Sequence, residues 1–93
     1  MTKLSADDIA DHLQALPNWL LAGDKLQRRL EFEDFVAAMR FVNAMASVAE
    51  EQRHHPDFSV HYNQVEVKVW THAVGGLSLN DFVLAAKLDQ IAT

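Results

Sequence analysis

Apolar residues recur at helical spacing in three stretches of the chain and alternate with polar residues in four others. Over residues 5 to about 16, Ile9, Leu13 and Leu16 form one stripe, and Pro17 stops the helix. Ser5 suits the N-cap, Asp8 follows three residues on, and Leu4 with Ile9 suits a hydrophobic staple. Residues 34 to about 53 read as a long helix capped by Asp34. Its stripe is Phe35, Met39, Val42, Met45 and Ala49, with Phe41 and Val48 adding apolar surface outside it. Pro56 bars helix at the residue before it. Ser78 opens a last helix to about residue 92, with Leu84, Leu88 and Ile91 as its stripe. Its opening repeats the first helix: Leu77 as staple, Ser78 as cap, Asp81 as the acid at the third helical position.

The alternating stretches predict strands at residues 19–22 and 26–32, joined through Gly23-Asp24. In the second, Leu26, Leu30 and Phe32 share one face, which Arg28 interrupts, as at an edge or an interface. Residues 58–62 and 65–69 form a hairpin with Asn63-Gln64 as its turn, since Asn tolerates positive φ. That turn pairs Tyr62 with Val65, Val60 with Val67 and Phe58 with Val69. The order α-β-β-α-β-β-α predicts an α+β two-layer sandwich: a four-stranded antiparallel sheet with three helices on one face. The other face carries Arg29, Glu31, Lys68 and Trp70 and is polar apart from one large aromatic.

At 93 residues the chain is expected to be a single domain, residues 1–93. So short a chain gains from association, which predicts a homo-oligomer. Thirteen acidic against eight basic residues argue against direct nucleic-acid binding. There is no cysteine, so disulfides and thiolate chemistry are excluded. No run reaches the roughly 20 apolar residues of a membrane span, and the acidic start does not read as a secretory signal. A soluble cytoplasmic protein is the expectation.

Five histidines are many for this length. Extending the hairpin register puts Pro56 beside Thr71 and His55 beside His72, so His54, His55 and His72 share one end of the hairpin near the long helix's C-terminus. Three uses compete for such a cluster. A metal site is disfavoured, because adjacent histidines diverge and metal-type His or Cys spacing is absent. Acid/base catalysis by imidazoles and a purely structural role stay open. His12 reads as surface, and His61 as the cross-strand partner of Glu66. Glu50 and Glu51 oppose the dipole at a helix end, a place where an acid often holds a histidine.

The run Glu50-Glu51-Gln52-Arg53-His54-His55-Pro56-Asp57-Phe58, then Tyr62-Asn63, Val65, Thr71-His72 and Gly76-Leu77-Ser78 with Asp81, closely resembles the pterin-4a-carbinolamine dehydratase family. The resemblance covers nearly the whole chain, including Trp19, Phe32, Asp34-Phe35 and Phe41. It implies dehydration of 4a-hydroxytetrahydropterin to quinonoid dihydropterin and water, in recycling of the tetrahydrobiopterin used by aromatic amino-acid hydroxylases. It implies no metal or organic cofactor, and a homodimer or homotetramer. Matched by position, His54, His55 and His72 become the catalytic candidates. Arg53, Pro56, Trp70, Thr71 and Ala73 join them as substrate-binding candidates, with Glu50 and Asp81 in support. Phe58 stands where the family often has Trp, and Asn80 where some members have Arg. The family also implies an alternative without chemistry, as a dimerisation or assembly partner of another protein.

Overall fold

The computed structural model describes residues 2–92. Its elements run α1 (Ala6–Leu13), β1 (Leu20–Ala22), β2 (Lys25–Glu31), α2 (Phe35–Gln52), β3 (Asp57–His61), β4 (Gln64–Val69) and α3 (Leu79–Ile91), with a 3₁₀ turn at His72–Val74 before α3. The four strands form one antiparallel sheet in the order β1-β2-β4-β3. This is the α+β architecture expected from the alternation of periods.

The caps form where side chains can take orphan helix N–H groups. Ser5 accepts from the Asp8 amide at 3.2 Å, and Asp34 accepts from the Ala37 amide at 2.8 Å. The first helix ends at Leu13, earlier than expected; Leu16 follows in the turn and is buried there. Leu26, Leu30, Val65, Val67 and Val69 line the covered face of the sheet and meet Ala38, Phe41, Val42 and Met45 of α2, with Phe82, Leu84, Ala85 and Leu88 of α3. The α2 stripe therefore differs from the expected one. Ala38 and Phe41 are buried, whereas Phe35 is exposed and Met39 half-buried. A small alanine leaves the room that lets the helix sit close to the sheet, and a count of large apolar residues overlooks it.

Arg28 is the second correction. It lies on an inner strand of the sheet and not at an edge. Its guanidinium pairs with Asp89 of α3, whose Oδ1 also accepts from Trp19 Nε1 at 2.8 Å. The charge that breaks the apolar alternation thus becomes a strut between sheet and helix.

The hairpin register is the third. The turn is Tyr62-Asn63, and His61 opposes Gln64, Val60 opposes Val65 and Phe58 opposes Val67. Tyr62 takes the positive φ of 53°. Asn63 is fixed instead by Phe32: its Nδ2 donates to the Phe32 carbonyl at 3.0 Å and its carbonyl accepts from the Phe32 amide at 2.8 Å. Ser59, not His61, stands opposite Glu66. The shift is two residues, so every side chain keeps its expected face.

The uncovered face is polar, as expected. Arg29 Nη2 lies 3.0 Å from Glu66 Oε2, and that bond holds the Glu66 carboxyl below its usual range. Trp70 closes this face at one end, with Lys25 Nζ 4.6 Å from its ring centre.

Candidate active site

The site begins where α2 stops. Arg53 adopts a left-handed conformation, φ 53° and ψ 39°. The Arg53 amide donates to the Glu50 carbonyl and the His54 amide to the Ala49 carbonyl, the paired bonds of a Schellman C-cap. This cap turns the chain sharply and delivers His54 beside the helix end. Pro56 then directs the chain into β3.

Each of the two adjacent imidazoles meets a carboxylate. His55 Nε2 lies 2.5 Å from Glu50 Oε2, both side chains exposed. The acid that opposes the helix dipole does hold a histidine. His54 Nε2 lies 2.5 Å from Asp81 Oδ1. His54 is largely covered, and Asp81 is completely buried. Asp81 Oδ2 accepts from the Ser78 amide at 2.9 Å and from the Thr71 hydroxyl at 2.8 Å. Asp81 therefore caps α3 and holds His54 at once, because its two oxygens face different partners.

The other wall comes from the end of β4. Trp70 Nε1 donates to Asp57 Oδ2 at 3.2 Å. The Thr71 amide donates to the Gly76 carbonyl at 2.9 Å, closing the small loop that contains the 3₁₀ turn. Gly75 ends that turn with φ 64°, a conformation glycine takes without steric cost. His72 opens the turn, and its ring lies 3.8 Å from the Trp70 ring, centre to centre.

Arg53, His54, His55, Pro56, Asp57, Trp70, Thr71 and His72 line one open cleft of about 340 Å³. That lies at the lower end of the roughly 300–1,000 Å³ range of small-molecule sites. The three histidines do share one end of the hairpin, although the shifted register no longer opposes His55 to His72. Ala73 is exposed on the 3₁₀ turn, outside the lining of the cleft. Glu50 and Asp81 stand behind His55 and His54. Asp57 was not singled out by the sequence reading. Its position after His-His-Pro at the start of β3 was the available signal. Among the described residues, no group of three or more His, Asp or Glu side chains is arranged to hold a metal ion. Nor is any helix among them long and apolar enough to cross a membrane.

Three imidazoles and an indole thus border one small cleft of a two-layer α+β domain, with Asp57 in the lining and Asp81 and Glu50 holding two of the imidazoles, a set of groups able to exchange protons near neutral pH. The family profile for pterin 4 alpha carbinolamine dehydratase matches residues 2–91. The chain is 44% identical over 93 residues, the full length of both, to a Thermomicrobium roseum protein provisionally named a pterin-4-alpha-carbinolamine dehydratase. It is 48% identical over 79 residues to a Dechloromonas aromatica protein with the same provisional name, covering 85% of this chain and 70% of that one. A Brucella melitensis crystal structure described as a transcriptional coactivator/pterin dehydratase superimposes with a TM-score of 0.95 at 31% identity, over 99% of this chain and 100% of that one. A pterin dehydratase-like RuBisCO assembly factor of the alpha-carboxysome shares the fold, with a TM-score of 0.68 at 21% identity over 80% of this chain and 86% of that one. The chain belongs to the pterin-4a-carbinolamine dehydratase family.

Proposed function

We propose that this protein dehydrates 4a-hydroxytetrahydropterin to quinonoid dihydropterin and water. The observation that carries the reading is the convergence of His54, His55 and His72 on one cleft, two of them held by Asp81 and Glu50. Loss of hydroxide from C4a needs a proton delivered to the departing oxygen and another taken from a ring nitrogen of the pterin. Imidazoles are suited to both transfers near neutral pH. A hydrogen bond from each His Nε2–H to its carboxylate leaves Nδ1 of His54 and His55 as the nitrogens available for chemistry. In this reading His72, beside Trp70, serves the opposite part of the pterin. Trp70 offers an aromatic surface for the pterin, and Arg53 a donor set for its carbonyl edge.

The left-handed Arg53 supports the reading. Glycine would occupy that position with less strain, so the arginine side chain supplies something the cap does not need. The source of substrate in this reading is a pterin-dependent aromatic amino-acid hydroxylase in the same cytoplasm. Self-association belongs to it as well: Phe35 and Val36 on α2, Leu20 on β1 and Phe58 on β3 are exposed apolar side chains that a second copy would cover.

The test is the dehydration rate of enzymatically generated carbinolamine with purified protein. Acceleration that survives EDTA is expected. Absence of acceleration would leave a binding role as the better reading, and activity lost to EDTA and restored by a divalent ion would overturn the imidazole mechanism.

A further inference from the structure

The Thr71 hydroxyl is committed to two partners, and both are buried. It lies 2.8 Å from Asp81 Oδ2 and 2.9 Å from Ser78 Oγ. A carboxylate has no proton to give, so the single Thr71 hydroxyl proton goes to Asp81, and Thr71 Oγ1 accepts from Ser78. The bonds therefore run in one direction: Ser78 hydroxyl to Thr71, Thr71 to Asp81 Oδ2, and His54 Nε2–H to Asp81 Oδ1. Thr71 is only 4% exposed, so although it borders the cleft its hydroxyl is turned away from any ligand there. Its backbone meanwhile anchors the loop bearing His72, through the paired bonds with Gly76 and the Val74 amide donating to the Thr71 carbonyl.

We infer that Thr71 is a positioning residue, not a substrate contact, and that it couples the two histidine walls. Through its hydroxyl it aims Asp81, which holds the His54 ring with the proton on Nε2. Through its backbone it fixes the start of the turn that carries His72. Without the Thr71 hydroxyl, Oδ2 of Asp81 would keep only the Ser78 amide, and the carboxylate would hold the orientation and tautomer of His54 less firmly. Hydrogen-bonded residues behind a catalytic group commonly set its orientation in this way. The inference rests on the dehydratase reading for its rate arm alone.

The test compares Thr71→Val, nearly isosteric but without the hydroxyl, with Thr71→Ser, which keeps it. In Thr71→Val, kcat is expected to fall about 10- to 100-fold while KM stays within about twofold, the pattern of lost orientation without lost contact. The ¹⁵N resonances of the His54 ring are expected to move from a pure Nε2–H tautomer toward a mixture. Thr71→Ser is expected to restore both. If Thr71→Val does not fold, Thr71→Ala removes the same hydroxyl without adding a second methyl and is expected to shift the His54 ring signals in the same direction. A Thr71→Val protein with wild-type kcat and an unchanged His54 tautomer overturns the inference. So does one in which only KM rises, since the hydroxyl would then be a ligand contact. If Thr71→Val fails to fold, an unchanged His54 spectrum in Thr71→Ala overturns it too. Should the wild-type protein lack dehydratase activity, the functional reading fails, and the His54 spectrum still decides the role of Thr71.

Discussion

Nε2 of His54 meets Oδ1 of Asp81 at 2.5 Å, across 27 residues of sequence. The contact joins the C-terminus of α2 to the N-terminus of α3, and it explains why a fully buried carboxylate is tolerated. Asp81 receives a backbone amide, a hydroxyl and an imidazole N–H, so its burial cost is met by hydrogen bonds.

Asp81→Asn should therefore weaken both roles. An amide still accepts on one side but offers an N–H where the carboxylate accepted. A stability loss of about 1–3 kcal/mol is expected from the disturbed buried network, together with a clear fall in kcat. Denaturant titration and steady-state kinetics on the same sample check both. Loss of stability with unchanged kcat would reduce Asp81 to a cap.

Arg53→Gly separates backbone from side chain. The left-handed conformation costs a residue with a Cβ about 1–2 kcal/mol. Glycine escapes that cost but loses more chain entropy on folding, so the net change in stability should stay below about 1 kcal/mol. KM should rise because the guanidinium is gone from the cleft. A variant with unchanged KM would show that the side chain does not touch substrate.

Asp89→Ala should act on the fold alone. It leaves Arg28 and Trp19 Nε1, both largely covered, without their shared acceptor. A cost of about 1–3 kcal/mol in equilibrium unfolding is expected. Its partners lie outside the cleft, so kcat/KM at a temperature well below Tm should be unchanged.

The faces of the strands were legible because their period is two and Val65, Val67 and Val69 alternate with charged residues. The register was not, because a slip of two residues leaves each face intact. What distinguishes the two registers is the tie between Asn63 and Phe32, a contact between distant parts of the chain. The burial of Ala38 and the strut from Arg28 to Asp89 were hidden for the same reason: each depends on a partner that no local period reveals. The histidine cluster was legible from spacing, because Pro56 and the hairpin bring His54, His55 and His72 to one end in either register. The pairing of Glu50 with His55 was foreshadowed by an acid set against the helix dipole. Ala73, carried over beside His72, is exposed on the 3₁₀ turn.

The central claim is that the imidazoles of this cleft transfer protons during dehydration. It is tested most directly by the single-turnover dehydration rate of His54→Ala and His72→Ala, with His61→Ala as control. His61 is exposed on β3, outside the cleft lining, and its removal should leave the rate nearly unchanged. Each of the other two should slow the reaction by roughly 10²- to 10⁴-fold, with cooperative unfolding retained. Near-wild-type rates in both variants, accompanied by earlier melting, would show that the histidines hold the fold and would contradict the account.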